Sequence, residues 1–175
     1  PRDPEKNPAN QNDKIPRRPL MNKTIKKAGV TGAGVMRATI AAQLANVGLE
    51  TLLLDIVLPQ LSDDDKKKGL TPESKEFRNK LAANGVQGAL KSKPASFYVP
   101  ENSKLITIGN MEDDLKSLKE VQWIIEVVVE RLDIKKIVFE KLESVITPGT
   151  LITSNTSGIP AKAMLEGRSE NFRKH

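Results

Sequence analysis

A chain of 175 residues, with 38% hydrophobic and 29% charged side chains, has the length and composition of one soluble core with an appendage. It contains no cysteine and one histidine, at the last position, which excludes disulfides, thiolate metal sites and histidine-rich metal centres and fits a reducing compartment. The net charge of +6 divides into +5 on residues 1–27 and +1 on the rest; with no basic stripe interleaved with aromatics it argues against nucleic acid as a partner, and the absence of a run of about 18 apolar residues argues against a membrane span.

Residues 1–22 carry five prolines among polar and basic residues and no apolar period, the pattern of a disordered tail; residues 23–175 form the folded domain. Residues 25–31 are a short strand candidate, followed by the turn Gly32-Ala33-Gly34-Val35-Met36-Arg37. The spacing predicts a helix over 35–47, with Met36, Ile40, Leu44 and Val47 on one face and Gly48 as its C-terminal cap. Residues 50–56 are a second strand, whose run Leu52-Leu53-Leu54 lacks polar alternation, as in a parallel strand covered on both faces.

Residues 57–70 read as a polar connection, with three aspartates at 63–65 and three lysines at 66–68. Thr71-Pro72-Glu73 signals a helix start with Thr71 as N-cap, the helix running to about Lys91 with a bend at Asn84-Gly85. A loop over 94–103, a strand over 105–108 and a short helix over 111–118 follow. Residues 123–129 are the most apolar strand, interrupted by Glu126. A helix over 132–145 places Ile134, Ile137, Val138 and Leu142 on one face. A strand over 151–154, the loop Asn155-Thr156-Ser157-Gly158 and a short helix over 160–165 complete the chain. Alternating strands and helices predict an α/β fold of the Rossmann type, doubly wound on a mostly parallel sheet.

Ligands of such sheets sit beyond the C-terminal ends of the strands, where the glycine turn, Asp55, Glu130 and the Asn155–Ser157 loop all fall. Gly32 permits the tight turn, and Gly34 lets backbone N–H groups approach a pyrophosphate at the helix N-terminus. Asp55, 23 residues after Gly32, is placed to accept the adenine-ribose hydroxyls and to repel a 2′-phosphate, which favours NAD over NADP. Arg37 stands where a third glycine is usual. Its guanidinium either reaches a phosphate or is an unfavourable replacement that pushes the helix off the first strand; the second reading is preferred, and Arg37→Gly is then expected to tighten NAD binding. Thr31 puts a hydroxyl into a buried strand, where a nearby carbonyl is expected to accept it.

Four segments carry a family resemblance: Gly-Ala-Gly-Val-Met at 32–36, Leu-Leu-Leu-Asp at 52–55, Ile-Ile-Glu-Val-Val-Val-Glu at 124–130 and Ser-Asn-Thr-Ser at 154–157. In this order they resemble the NAD-binding domain of L-3-hydroxyacyl-CoA dehydrogenases, with an insert around 57–103 similar to that of the multifunctional bacterial β-oxidation proteins. The resemblance implies that Gly32, Gly34 and the amides of Val35 and Met36 bind the pyrophosphate. It implies that Asp55 binds the adenosine ribose, that Glu130 and Lys135 line the nicotinamide half, and that Ser157 contacts substrate and cofactor with Asn155 in support. Glu126 is assigned a structural role, and no metal is implied. Lys91 and Lys93 read as solvated, with contact to CoA phosphates as the alternative.

The family oxidises the 3-hydroxyl of an acyl-CoA in fatty-acid β-oxidation. A histidine takes the hydroxyl proton while hydride passes to the cofactor. That histidine belongs to a His-Phe-Phe-Asn-Pro motif in which His175 does not stand, so the general base, the helical C-terminal domain and a homodimer formed through it are expected to lie outside these residues. The resemblance implies an NAD-dependent dehydrogenase domain, cytoplasmic and inactive by itself, with acyl-CoA and further domains of the same polypeptide as partners. A free-standing nucleotide-binding or interaction module, or another NAD-dependent dehydrogenase, is the alternative.

Overall fold

The structure, a computed structural model, describes residues 24–32 and 34–175; the expected tail over 1–22 lies outside the described residues. Five strands form one parallel sheet: β1 (Lys27–Gly32), β2 (Glu50–Asp55), β3 (Ile106–Asn110), β4 (Trp123–Val127) and β5 (Leu151–Ser154), in the spatial order β3-β2-β1-β4-β5. The expected Rossmann-type α/β fold is therefore present. β1 lies at the centre, and the chain winds outward from it in both directions.

Successive side chains of a strand point to opposite faces, and the core divides accordingly. Leu52, Leu54 and Ile124 pack on one face with Val138, Phe139 and Leu142 of helix α5 (Leu132–Glu143). Val30, Leu53, Ile125 and Val127 pack on the other with Ala41 and Leu44 of α1 (Val35–Asn46) and Ala82 of α4 (Lys80–Lys91). Gly29 faces the first layer: a Cβ there would stand 2.6 Å from the end of the Leu118 side chain, which would have to shift to admit it.

Several expectations about helix faces and bounds are corrected. On α1, Met36 and Val47 are 59% and 70% exposed, and the buried surface is Ala38, Ala41, Ala42, Leu44 and Ala45. Small residues win because α1 serves two neighbours, the sheet and α4, and its alanines let α4 approach closely through Ala89, with Phe97 of the loop after α4 packed alongside. On α5, Ile137 is exposed while Lys135 and Phe139 are buried. Thr71 does not cap a helix. Its N–H donates to Ser74 Oγ at 2.8 Å, and the chain first turns helical at α3 (Lys75–Arg78).

A break at Asn79 separates α3 from α4, which runs unbroken past Asn84-Gly85. Asn79 is drawn inward, where its Oδ1 accepts a hydrogen bond from Asn110 Nδ2 at 2.8 Å. The polar connection holds a short helix, α2 (Asp63–Lys67), and the loop before β3 ends in a 3-10 turn, Pro100–Leu105. The expected helix over 111–118 is a turn followed by a 3-10 segment, Leu115–Glu120. Thr31 is buried, but its hydroxyl has no hydrogen-bond partner, contrary to expectation.

Candidate cofactor site

The strand ends assemble the site. β1 closes on Gly32, where φ is +146° and a Cβ would stand 2.3 Å from the carbonyl oxygen of Val127. Only glycine fits this approach of β4 to the turn. Gly34, at φ +109°, has no atom within 4 Å of the position its Cβ would take. α1 then begins at Val35 with no side-chain cap and no acidic residue in its first turn, so its positive end carries no competing carboxylate of its own. Met36 is exposed beside it. These features suit the pyrophosphate of a dinucleotide.

Asp55 ends β2, on the neighbouring side of β1. It is 1% exposed, and Arg37, which is 3% exposed, forms an ion pair with its Oδ2. Asp55 Oδ1 accepts the N–H of Ile56 at 2.8 Å. The arginine does not bend out toward solvent. Its Nη1 donates to the carbonyl of Gly32 and its Nη2 to the carbonyl of Leu81 in α4, both at 3.1 Å. Gly85 of α4 lies alongside: a Cβ there would stand 3.2 Å from the Ala38 Cβ and in ordinary contact, 3.7 Å, with Nη2. Burial pushes the Asp55 carboxyl above its ordinary value, and the guanidinium pulls it partly back.

On the other side of β1, β4 carries Glu126, whose register partners are Thr31 and Ser154. Glu126 and Lys135 are fully buried, and Lys135 Nζ donates to both carboxylate oxygens at 3.0 Å. Glu126 Oε1 also accepts the N–H of Val128 at 2.6 Å, and Oε2 accepts the hydroxyl of Ser154. Lys135 therefore points into the domain, with Glu130 Oε2 3.9 Å from its ammonium.

Glu130 stands at the surface, where its Oε1 accepts the hydroxyl of Thr156 at 2.5 Å and the N–H of Gly158 at 2.9 Å. Those donors, Thr156 first, hold its carboxyl below the usual range. The backbone N–H of Asn155 donates to the Glu126 carbonyl at 2.8 Å, and the side chains of Asn155 and Ser157 are exposed.

The structure thus brings Glu130 onto the 156–158 loop and places Gly32 and Asp55 on adjacent strand ends. It buries Lys135 and pairs Asp55 internally. Glu126 has the structural role expected of it, and what sequence reasoning missed is its buried partner, Lys135. An acid inside an apolar strand was the available signal, since a buried carboxylate requires a buried partner. It also missed Thr156 as the residue that grips Glu130, and Asn110. The Asn110 side chain bonds Asn79 and Asp113 and accepts the N–H groups of Glu112 and Asp113. His175 is held at the base of β5, its Nδ1 2.6 Å from the carbonyl of Thr150. A concavity of about 530 Å³ beside α6 (Ala161–Met164) is lined by Pro160, Leu165 and Arg173 and by none of the predicted site residues. Among the described residues no cluster of metal-ligating side chains occurs, and no helix is long and apolar enough to cross a membrane.

A parallel sheet with a glycine turn after its central strand, an acid closing the next strand and polar loops beyond the fourth and fifth defines a dinucleotide-binding domain of the Rossmann type. A sequence model of the family described as "3-hydroxyacyl-CoA dehydrogenase, NAD binding domain" matches residues 27–174, and the chain belongs to that family, whose cofactor is NAD. A "probable 3-hydroxyacyl-CoA dehydrogenase" of Bacillus subtilis is 48% identical over 155 residues, 89% of this chain and 20% of that protein. One of the same name from Deinococcus radiodurans is 50% identical over 150 residues, 86% of this chain and 39% of that protein. The chain therefore spans between a fifth and two fifths of the length of these relatives. The crystal structure of a 3-hydroxybutyryl-CoA dehydrogenase from Escherichia coli K12 matches with a TM-score of 0.54 at 27% identity, covering 86% of this chain and 28% of that one.

Proposed function

We propose that this chain is the cofactor-holding part of a cytoplasmic dehydrogenase that oxidises L-3-hydroxyacyl-CoA to 3-oxoacyl-CoA in fatty-acid β-oxidation. The observation that carries the reading is the grip of Thr156 and Gly158 on Glu130, which joins two motifs 26 and 28 residues apart in sequence into one polar surface beside Ser157. On this reading Gly32, Gly34 and the amides of Val35 and Met36 hold the pyrophosphate. Glu130, with Asn155, orients the nicotinamide half, and the exposed Ser157 hydroxyl meets the 3-hydroxyl of the substrate. NAD, when bound, supplies the hydride acceptor.

Lys135 supports Glu130 from within the domain, through a fully buried ammonium. The acyl-CoA and the proton-accepting histidine are met together with further domains of the polypeptide. His175, bonded to the carbonyl of Thr150, is not placed in that role. Calorimetric titration of the folded chain with NAD tests the reading. Saturable binding that ADP-ribose competes away is expected, without turnover of acetoacetyl-CoA and NADH. A folded chain giving no saturable heat at millimolar NAD would overturn it.

A further inference from the structure

We propose that Arg37 sets the dinucleotide specificity of this chain by occupying, from within, the carboxylate that would otherwise receive the adenosine ribose. The inference rests on the cofactor reading above and adds a disagreement within it: the pyrophosphate end fits a dinucleotide, and the ribose end is already taken. An acid that binds ribose hydroxyls must present at least one oxygen to the crevice. Asp55 presents neither, because the residue is 1% exposed, with Oδ1 accepting the Ile56 amide and Oδ2 turned onto the Arg37 guanidinium in an ion pair.

The guanidinium is fixed by more than Asp55. It bridges the carbonyl that ends β1 to the carbonyl of Leu81 in α4. Three elements therefore hold the pair closed, and a ribose reaches the acid only by breaking a buried ion pair.

The charge consequence follows from the same contacts. A free carboxylate at this place repels a 2′-phosphate, whereas an arginine nearby accommodates one. Paired with Arg37, Asp55 is neutralised and offers neither the attraction for ribose hydroxyls nor the repulsion that together select NAD. The chain then holds dinucleotides chiefly through the pyrophosphate turn and Glu130, and it distinguishes NAD from NADP weakly.

Calorimetric titration with NAD and with NADP separately, on the wild-type chain and on variants checked for folding by circular dichroism, tests this. The wild-type chain is expected to bind the two within about threefold of each other, and Arg37→Gly to gain about tenfold for NAD alone, the size of one recovered charge-assisted hydrogen bond. Asp55→Asn in the wild-type background is expected to change NAD affinity by less than about twofold, because the acid is not in contact with ligand. The wild-type ratio, which needs no substitution, decides the matter if either variant does not fold.

A wild-type preference for NAD beyond about tenfold, or an equal loss on Asp55→Asn, shows the acid at work on ribose and overturns the inference while leaving the cofactor reading intact. An Arg37→Gly variant that folds and keeps the wild-type ratio overturns it as well. Binding of neither dinucleotide by any folded variant removes the cofactor reading and this inference together.

Discussion

At the scale of single residues, the two ion pairs flanking β1 differ in what they do. Arg37 and Asp55 tie the first turn of α1 to the end of β2, whereas Glu126 and Lys135 lie wholly inside and hold the strand end that leads to Glu130. A buried charge stranded without its partner costs about 3–5 kcal/mol, more than the pair contributes relative to apolar replacements. Glu126→Leu is therefore expected to destabilise the chain by about that amount. Glu126→Leu with Lys135→Met is expected to cost less, although both variants release the same Val128 amide and Ser154 hydroxyl. Urea unfolding followed by the fluorescence of the single tryptophan, Trp123, measures both. A double variant less stable than the single would sink this account. Arg37 illustrates why such residues resist reading from sequence. Its position argued for a displaced helix, and nothing local shows that α4, 44 residues away at Leu81, supplies a carbonyl to receive it.

Among the elements, those with self-contained signals were legible. β2 and β4 are covered on both faces, so their apolar runs announce them without knowledge of a neighbour. The buried face of α1 was not, because alanines carry little apolar signal and are chosen for an approach to α4 that only the tertiary structure reveals. α2 was hidden for a related reason. Three aspartates followed by three lysines read as a solvated run, yet Asp65 is buried. It closes a capping box with Ser62 and takes Lys80 Nζ at 2.7 Å on both oxygens, 15 residues on.

Lys80 first, then Ser62, hold the Asp65 carboxyl down to about 2. The folded value lies below the unfolded one of about 3.9, so over this window the unfolded chain binds more protons. The stabilisation is present in full above about pH 4 and is lost as pH falls toward 2. Asp65→Asn is thus expected to be less stable than wild type at neutral pH, with a deficit that shrinks between pH 4 and 2 in urea melts. A deficit independent of pH would show that the Lys80 pair contributes nothing through its charge.

For the whole molecule, the sheet is common to both apolar layers, and this determines how disturbances on opposite faces combine. Phe172 packs edge-on to Phe139, centroids 6.0 Å apart, beneath Met164 on the α5 side. Ala42 packs with Ala89 and Phe97 between α1 and α4 on the other side. These two residues belong to separate clusters with no member in common, and the strands lie between them. Ala42→Leu overfills its layer and is expected to cost about 1–3 kcal/mol, and Phe172→Leu about 1 kcal/mol. With no shared partner the two costs should add to within about 0.5 kcal/mol.

Additivity alone would also hold for two layers that unfold separately, so the cooperativity of the transition is the sharper measurement. Among the described residues both layers rest on β2 and β4, whose inward residues alternate between them, and loss of either layer uncovers the same strands. Trp123 emission and far-ultraviolet circular dichroism should therefore report one coincident urea transition in wild type, in each single variant and in the double. Separate midpoints for the two probes in the double variant would show that one layer survives without the other, and would remove the sheet as the unit that holds the cofactor loops in register.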